Sequence, residues 1–189
     1  MRRASPAGRV LRDVVGGGLC IVMLNACSAR EQRPTPPPPP RPIVQAAAAA
    51  PFAISLVPTV PVPIRIGTNL GFNVSANTAG YASLYLINPE GQVTVLGENM
   101  VVSAARDLVY PSPVDGFTLA AAEPVGFNQV ILLVTRQPFA GGFSGFDTRT
   151  TPVSLALGSR EFRSQLNRRT ETIPRSAWAM DEIQVRVVG

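Results

Sequence analysis

The chain has 189 residues with no histidine and no lysine, so its 17 basic residues are all arginine. Its two cysteines, Cys20 and Cys27, lie near the N-terminus. The rest of the chain therefore offers no disulfide, no thiolate or imidazole for a metal, and no histidine-assisted catalysis. The formal charge of +5 belongs to the first 51 residues, because residues 52–189 contain ten arginines and ten acidic residues. A domain without net charge lacks the usual signature of nucleic-acid binding.

The first 26 residues have the order of an export signal. Four arginines precede an apolar segment at 14–24, which is shorter than the roughly 20 residues that a spanning helix needs. The tetrapeptide Leu24-Asn25-Ala26-Cys27 is similar to a bacterial lipobox, in which the signal is cut before the cysteine and the thiol is acylated. We therefore predict a lipoprotein signal at 1–26 and an acyl chain such as palmitate on Cys27. Secretory cleavage near Ala29 and an uncleaved anchor remain as alternatives.

Residues 27–51 are rich in proline and alanine and contain almost nothing that could form a core. This composition predicts a disordered, lipid-anchored linker, which the prolines make a semi-rigid spacer. The prolines at 36–42 also resemble a ligand for an aromatic-lined groove, which is the alternative interpretation. Ser28 offers no acidic retention signal, so by analogy with lipoproteins we expect the outer membrane, facing the periplasm.

From residue 52 onward the apolar residues recur with a period of two, which is typical of strands with one buried face. This alternation predicts strands at 52–56, 64–66, 72–77, 117–119 and 183–187. Two further runs, 81–87 and 130–134, are apolar at both odd and even positions, so neither face of a strand would be polar. We expect these two to be central strands that are covered on both faces.

A hairpin and one helix complete the predicted elements. Asn88-Pro89-Glu90-Gly91 separates 81–87 from a strand at 93–96, with proline suited to a type I turn and glycine to a positive φ. The helix is predicted at 160–169, capped by Ser159, with Phe162 and Leu166 on the face that packs on the sheets. About eight strands and one short helix in residues 52–189 predict a single all-β domain, a β-sandwich.

Three stretches carry a resemblance to a known family: Leu70-Gly71-Phe72-Asn73-Val74, the hairpin region 80–96, and Pro124-Val125-Gly126-Phe127-Asn128. Together they resemble the bacterial family called domain of unknown function 4384, over roughly residues 64–139. Gly97-Glu98-Asn99 departs from the usual Pro-Asn of that family, and Asn69 stands where an acidic residue is common. The resemblance implies an exported or envelope-associated module with an immunoglobulin-like sandwich and no established catalytic residues.

The loop at 137–152 is long for a compact domain and carries Phe139, Phe143 and Phe146 among glycines. Core packing or plain disorder is one interpretation, and a mobile aromatic binding surface is the other. Its segment Gly142-Phe143-Ser144-Gly145-Phe146 resembles a nucleophile elbow but lacks the second glycine at 146, and the chain lacks a histidine base. We therefore expect no catalytic residue in this loop.

Other side chains have similarly open interpretations. Arg160, Arg163, Arg168 and Arg169 either form a solvated helix face or recognise phosphate through bidentate contacts. The acidic residues at 107, 115, 123 and 147 fall in turns without clustering as calcium ligands do, so we expect neither metal nor cofactor. Trp178 is expected to belong to the core. The possible partner-binding residues are Phe139, Phe143, Phe146, Arg160 and Arg163.

These features lead us to expect a non-catalytic, lipid-anchored protein of the cell envelope. Its β-sandwich is expected to present a binding surface to a protein or a glycan, with no nucleic-acid partner. A structural accessory subunit of a larger envelope complex is the first alternative. A secreted soluble β-sandwich without a lipid anchor is the second.

Overall fold

The computed structural model describes residues 53–189, so the predicted signal, the predicted acylation site Cys27 and the predicted linker lie outside the described residues. The described chain contains eleven strands and one α-helix. In chain order they are β1 (Ile54–Pro58), β2 (Ile64–Arg65), β3 (Asn69–Leu70), β4 (Phe72–Ala76), β5 (Gly80–Ile87), β6 (Gln92–Val102), β7 (Leu108–Tyr110), β8 (Leu119–Ala120), β9 (Gly126–Thr135), β10 (Val153–Gly158), α1 (Ser159–Glu171) and β11 (Trp178–Val188).

The strands form three sheets, and together these make an all-β sandwich, as predicted. One sheet has three strands in the order β1-β4-β7, and a larger one has six in the order β10-β6-β5-β9-β11-β2. The third is the short pair β3-β8. Neighbouring strands are antiparallel except β11 and β2, which are parallel.

Two hydrophobic clusters lie on opposite faces of the six-stranded sheet. The first joins this sheet to the three-stranded sheet and includes Leu84, Leu132 and Phe72. The second joins it to α1 and includes Tyr85 and Phe162. Strands β5 and β9 contribute alternate residues to both clusters. This confirms the prediction that the two runs that are apolar on both parities are covered on both sides.

The hairpin between β5 and β6 is confirmed. Gly91 has φ +83°, and the Asn88 side-chain oxygen accepts hydrogen bonds from the amides of Glu90 at 3.0 Å and Gln92 at 2.8 Å. An asparagine side chain that pairs with the backbone two residues on is a common way to stabilise such a turn.

The helix is confirmed, but its predicted start was wrong. Ser159 is the first helical residue, and Gly158 occupies the N-cap position without a side-chain cap. The reason is tertiary, because the Ser159 amide donates to the Gly91 carbonyl at 2.9 Å and this bond joins the helix start to the hairpin. Phe162 and Leu166 are buried as predicted. No helix in residues 53–189 is long and apolar enough to cross a membrane.

Two strands differ from the predicted pattern in ways that matter for the site. Strand β6 continues to Val102, well beyond the predicted 93–96, and its pairing with β5 shifts register around residues 97–99. Strand β10 was not predicted, although Val153, Leu155 and Leu157 alternate with exposed residues along it. The loop at 137–152 connects β9 to β10 across the edge formed by this irregular part of β6.

Candidate functional site

The loop at 137–152 is held against β6 by a carboxyl group that is completely buried. Glu98 has no exposed surface. Its Oε1 accepts hydrogen bonds from the Phe143 amide at 2.7 Å and from the Tyr85 hydroxyl at 3.1 Å, and its Oε2 accepts one from the Ser144 amide at 2.9 Å. Both oxygens act only as acceptors, which is the pattern that suits a carboxylate. Three donors thus replace the water that the buried group has lost.

The backbone of Glu98 also pairs with the end of the loop. The Glu98 amide donates to the Arg149 carbonyl at 2.8 Å, and the Arg149 amide donates back to the Glu98 carbonyl at 2.9 Å. One residue therefore fixes the loop both at its centre and near its return to β10. Gly142 is required at this contact, because a Cβ there would lie 2.7 Å from Oε2 of Glu98.

Asn99 makes a second anchor beside Glu98. Its side-chain oxygen accepts from the Phe139 amide at 2.7 Å, and its amide nitrogen donates to the carbonyls of Phe139 at 3.3 Å and Asp147 at 2.6 Å. The residue has φ +52°, a left-handed conformation that asparagine tolerates better than most residues. The irregular pairing of β6 thus turns two successive side chains toward the loop.

Tyr85 supports the carboxyl group from β5. Burial, together with the neighbouring Glu98 carboxyl, raises the pKa of Tyr85 well above its ordinary value. Because the folded-state pKa of Tyr85 lies above the unfolded value of about 10, the stability linked to its proton is fully present below that value and is lost as the pH rises from there through the folded-state pKa. Below that range Tyr85 remains a donor to Glu98.

The three phenylalanines of the loop occupy three different environments. Phe139 is 3% exposed and packs in the core between the sheet and α1. Phe143 is partly buried, and its ring lies 4.8 Å from Phe162 and 5.7 Å from Tyr85. Phe146 is 56% exposed, with the Arg149 guanidinium 4.9 Å above its ring. Core packing thus describes the first two, and only Phe146 presents a surface.

The arginines of α1 also separate into different environments. Arg163 is committed to the fold through an ion pair with Glu182 at 2.9 Å and a hydrogen bond to Gln129 at 2.7 Å. Arg169 lies 4.2 Å over the Phe143 ring and donates to the Gly141 carbonyl, so it also holds the loop. Arg160 and Arg168 are exposed. The four arginines therefore do not converge on one phosphate-binding cluster.

Two open depressions adjoin the C-terminal end of α1. One of about 540 Å³ is lined by residues 170–175 and Trp178. The other, of about 220 Å³, is lined by Phe139, Ala140, Arg168, Arg169, Thr172 and Ile173. The two share Thr172 and Ile173. Arg175 borders the larger one and lies 4.0 Å over the Trp178 ring. Trp178 is partly buried and packs against the core between the sheet and α1, so the prediction of a core residue holds only in part.

We call the exposed part of the 137–152 loop, the last turn of α1 and residues 172–178 the loop–helix surface. Sequence reasoning identified its loop but missed Glu98, Asn99 and Arg175. The first two had a signal in the sequence, because they lie where the chain departs from the Pro-Asn of the family pattern. Arg175 had none, since its position beside Trp178 depends on how the chain leaves α1.

Comparison with known proteins covers the part of the chain that contains both anchors. No curated protein and no solved structure matches the chain. Residues 64–138 match the family model described as Domain of unknown function (DUF4384). The match runs from β2 to the start of the loop, so it includes Glu98 and Asn99 and ends before β10, α1 and β11. Residues 64–138 of the chain are therefore similar to the DUF4384 domain family.

Proposed function

We propose that this protein is a non-catalytic binding module of the bacterial cell envelope. Cys27 carries a lipid anchor, residues 28–51 act as a spacer, and the β-sandwich presents the loop–helix surface to a partner protein. The observation that carries the proposal is a long glycine-rich loop that is held by two buried anchors while its tip side chain, Phe146, stays 56% exposed.

An anchored loop favours binding because ordering a flexible segment costs free energy when the partner arrives. Fixing one residue costs roughly 1–2 kcal/mol of backbone entropy. In this fold Glu98 and Asn99 hold the loop in advance through Phe139, Phe143 and Ser144. Preorganised aromatic and arginine side chains are also the residues that most often dominate protein interfaces.

The non-catalytic part of the proposal is supported by how the buried polar groups are used. Glu98 is the only fully buried acid in residues 53–189, and structural hydrogen bonds occupy both of its oxygens. A general acid or base must instead reach a substrate proton. Ser144 lies in the same loop, but the chain contains no histidine to activate it.

The lipid anchor is tested by metabolic labelling of cells that express the full chain. We expect radiolabelled palmitate to enter the wild-type protein and to be lost in Cys27→Ala, since the thiol is the acceptor of the acyl group. Cys20→Ala is the matched control and should keep its label. Equal labelling of wild type and Cys27→Ala, or labelling of neither, contradicts an anchor at Cys27.

The binding surface is tested by a photo-crosslinking phenylalanine analogue placed at residue 146 in cells. We expect it to capture a protein, because Phe146 lies at the exposed tip of the anchored loop. Residue 127 is the matched control, since Phe127 is 47% exposed and also has an arginine, Arg186, over its ring. Phe127 lies near the far end of β9 from the loop. Capture from both positions alike, or from neither, contradicts a partner site at the loop.

A structural accessory subunit is the second candidate, and one surface favours it. On the outer face of the three-stranded sheet, Val57 and Val109 are 50% and 44% exposed. The strand register places both beside Asn73 on that face. The same photo-crosslinking side chain at residue 57 discriminates between the two roles. Capture of one fixed partner from 57 and not from 146 identifies the accessory subunit.

A further inference from the structure

We propose that the two adjoining depressions at the end of α1 bind an acidic peptide segment of the partner protein, with carboxylates on the guanidinium groups of Arg168 and Arg175. The inference rests on the proposed function in one respect, namely that the occupant is a protein. It adds the chemistry of the occupant and the two side chains that recognise it.

Arg168 and Arg175 supply positive charge that no acidic residue of the described chain neutralises. Arg168 makes no hydrogen bond or ion pair in residues 53–189, unlike Arg163, which is neutralised by Glu182. Arg175 stacks on Trp178 at 4.0 Å. A stacked guanidinium keeps its in-plane N–H groups free to pair with a carboxylate through two parallel hydrogen bonds. Glu171 is the one acid among the residues lining the depressions, against three arginines.

The surface between Arg168 and Arg175 is the lining that the two depressions share or that follows it. The shared lining is Thr172 and Ile173, and Pro174 follows in the larger depression. Ile173 and Pro174 are apolar, and the Thr172 hydroxyl is already hydrogen-bonded to the Arg169 carbonyl. This lining suits an apolar residue flanked by acidic ones. The backbone of this segment is fixed, because the amides of Thr172 and Ile173 donate to the carbonyls of Arg169 and Thr170.

The surroundings of Arg168 and Arg175 favour a peptide over a glycan or a phosphate as the ligand. Sugar rings are commonly recognised by stacking on an aromatic face, but the Arg175 guanidinium covers a face of Trp178 at 4.0 Å. The end of α1 bears partial negative charge, which opposes the concentrated double charge of phosphate more than single carboxylates held apart on two arginines. The observations therefore favour acidic residues in a polypeptide.

The test is fluorescence anisotropy with the full-length protein in detergent and a labelled peptide of alternating glutamate and leucine. We expect Arg168→Gln and Arg175→Gln each to raise the Kd by about tenfold, because each removes charge-assisted hydrogen bonds. The matched controls are Arg160→Gln at the other end of α1 and Arg186→Gln, which is also stacked on an aromatic ring. Both controls should change the Kd less than about twofold.

Several results overturn the inference. They are equal binding of a glutamine–leucine peptide, equal losses in the control variants, or stronger competition by inorganic phosphate or an oligouronate than by the unlabelled acidic peptide. All four arginine positions are at least partly exposed, so thermal unfolding should show that every variant folds. If the peptide does not bind while residue 146 still captures a partner, the acidic ligand is rejected and the binding module stands. If neither occurs, the proposed function fails as well.

Discussion

Replacing Glu98 with alanine is expected to lower the free energy of unfolding by about 3 kcal/mol, because a buried donor left without an acceptor costs about 1–3 kcal/mol. The substitution removes the acceptor of the Phe143 and Ser144 amides and of the Tyr85 hydroxyl. Urea unfolding followed by circular dichroism measures the change. The loop should also become sensitive to limited proteolysis between residues 139 and 149, since its central attachment is lost.

Two variants make this expectation specific. Glu90→Ala removes an exposed carboxyl group in the hairpin and should change stability by less than about 0.5 kcal/mol. Glu98→Gln keeps the volume and one acceptor oxygen and should cost about 1–2 kcal/mol. A buried charge also carries a desolvation penalty. The direction in which Glu98→Gln changes the free energy of unfolding is therefore informative. A Glu98→Gln protein more stable than wild type means that the three donors do not compensate the buried carboxylate.

Replacing Phe162 with alanine is expected to destabilise the protein by about 3–5 kcal/mol, the usual range for a fully buried phenylalanine. Phe162 has no exposed surface. Its ring lies 5.0 Å from Tyr85 on the sheet and 4.8 Å from Phe143 in the loop. It is therefore the side chain through which α1, the six-stranded sheet and the loop meet. The measurement is again urea unfolding, with near-ultraviolet circular dichroism to report on aromatic packing.

Phe146→Ala is the matched control, because it removes the same side chain from an exposed position in the same region. It should alter stability by less than about 0.5 kcal/mol. If both variants lose the same free energy, the separation between a structural and an exposed phenylalanine is wrong. If Phe162→Ala costs less than about 1 kcal/mol, α1 is not docked through this residue.

Much of the fold follows from local patterns along the chain. Alternation predicts β1, β2, β4 and part of β11, and runs that are apolar at both odd and even positions identify β5 and β9 as the central pair. Asparagine, proline and glycine specify the hairpin through backbone preferences that act within a few residues. The helix follows from Phe162 and Leu166 at a spacing of four. These properties depend on near neighbours, and for that reason they can be recognised without the tertiary structure.

The site depends on contacts that local patterns do not contain. Alternation assigns no role to Glu98. Its carboxyl group can be buried because the Tyr85 hydroxyl and the amides of Phe143 and Ser144, some 45 residues away, supply donors. The three loop phenylalanines look alike in the sequence, yet one is in the core, one is partly buried and one is exposed. Arg163 and Arg168 lie on one helix, and only the first meets an acid from β11.

Composition, alternation and turn residues were sufficient to predict a β-sandwich with one helix, and the same sequence alone predicts the export signal and the lipid anchor at Cys27. The tertiary structure decided which polar groups form hydrogen bonds within the fold and which remain available to a partner. The physical reason is that a hydrogen-bonding group is committed or free according to what lies within about 3 Å of it, and the register between β5, β6 and the loop determines those neighbours.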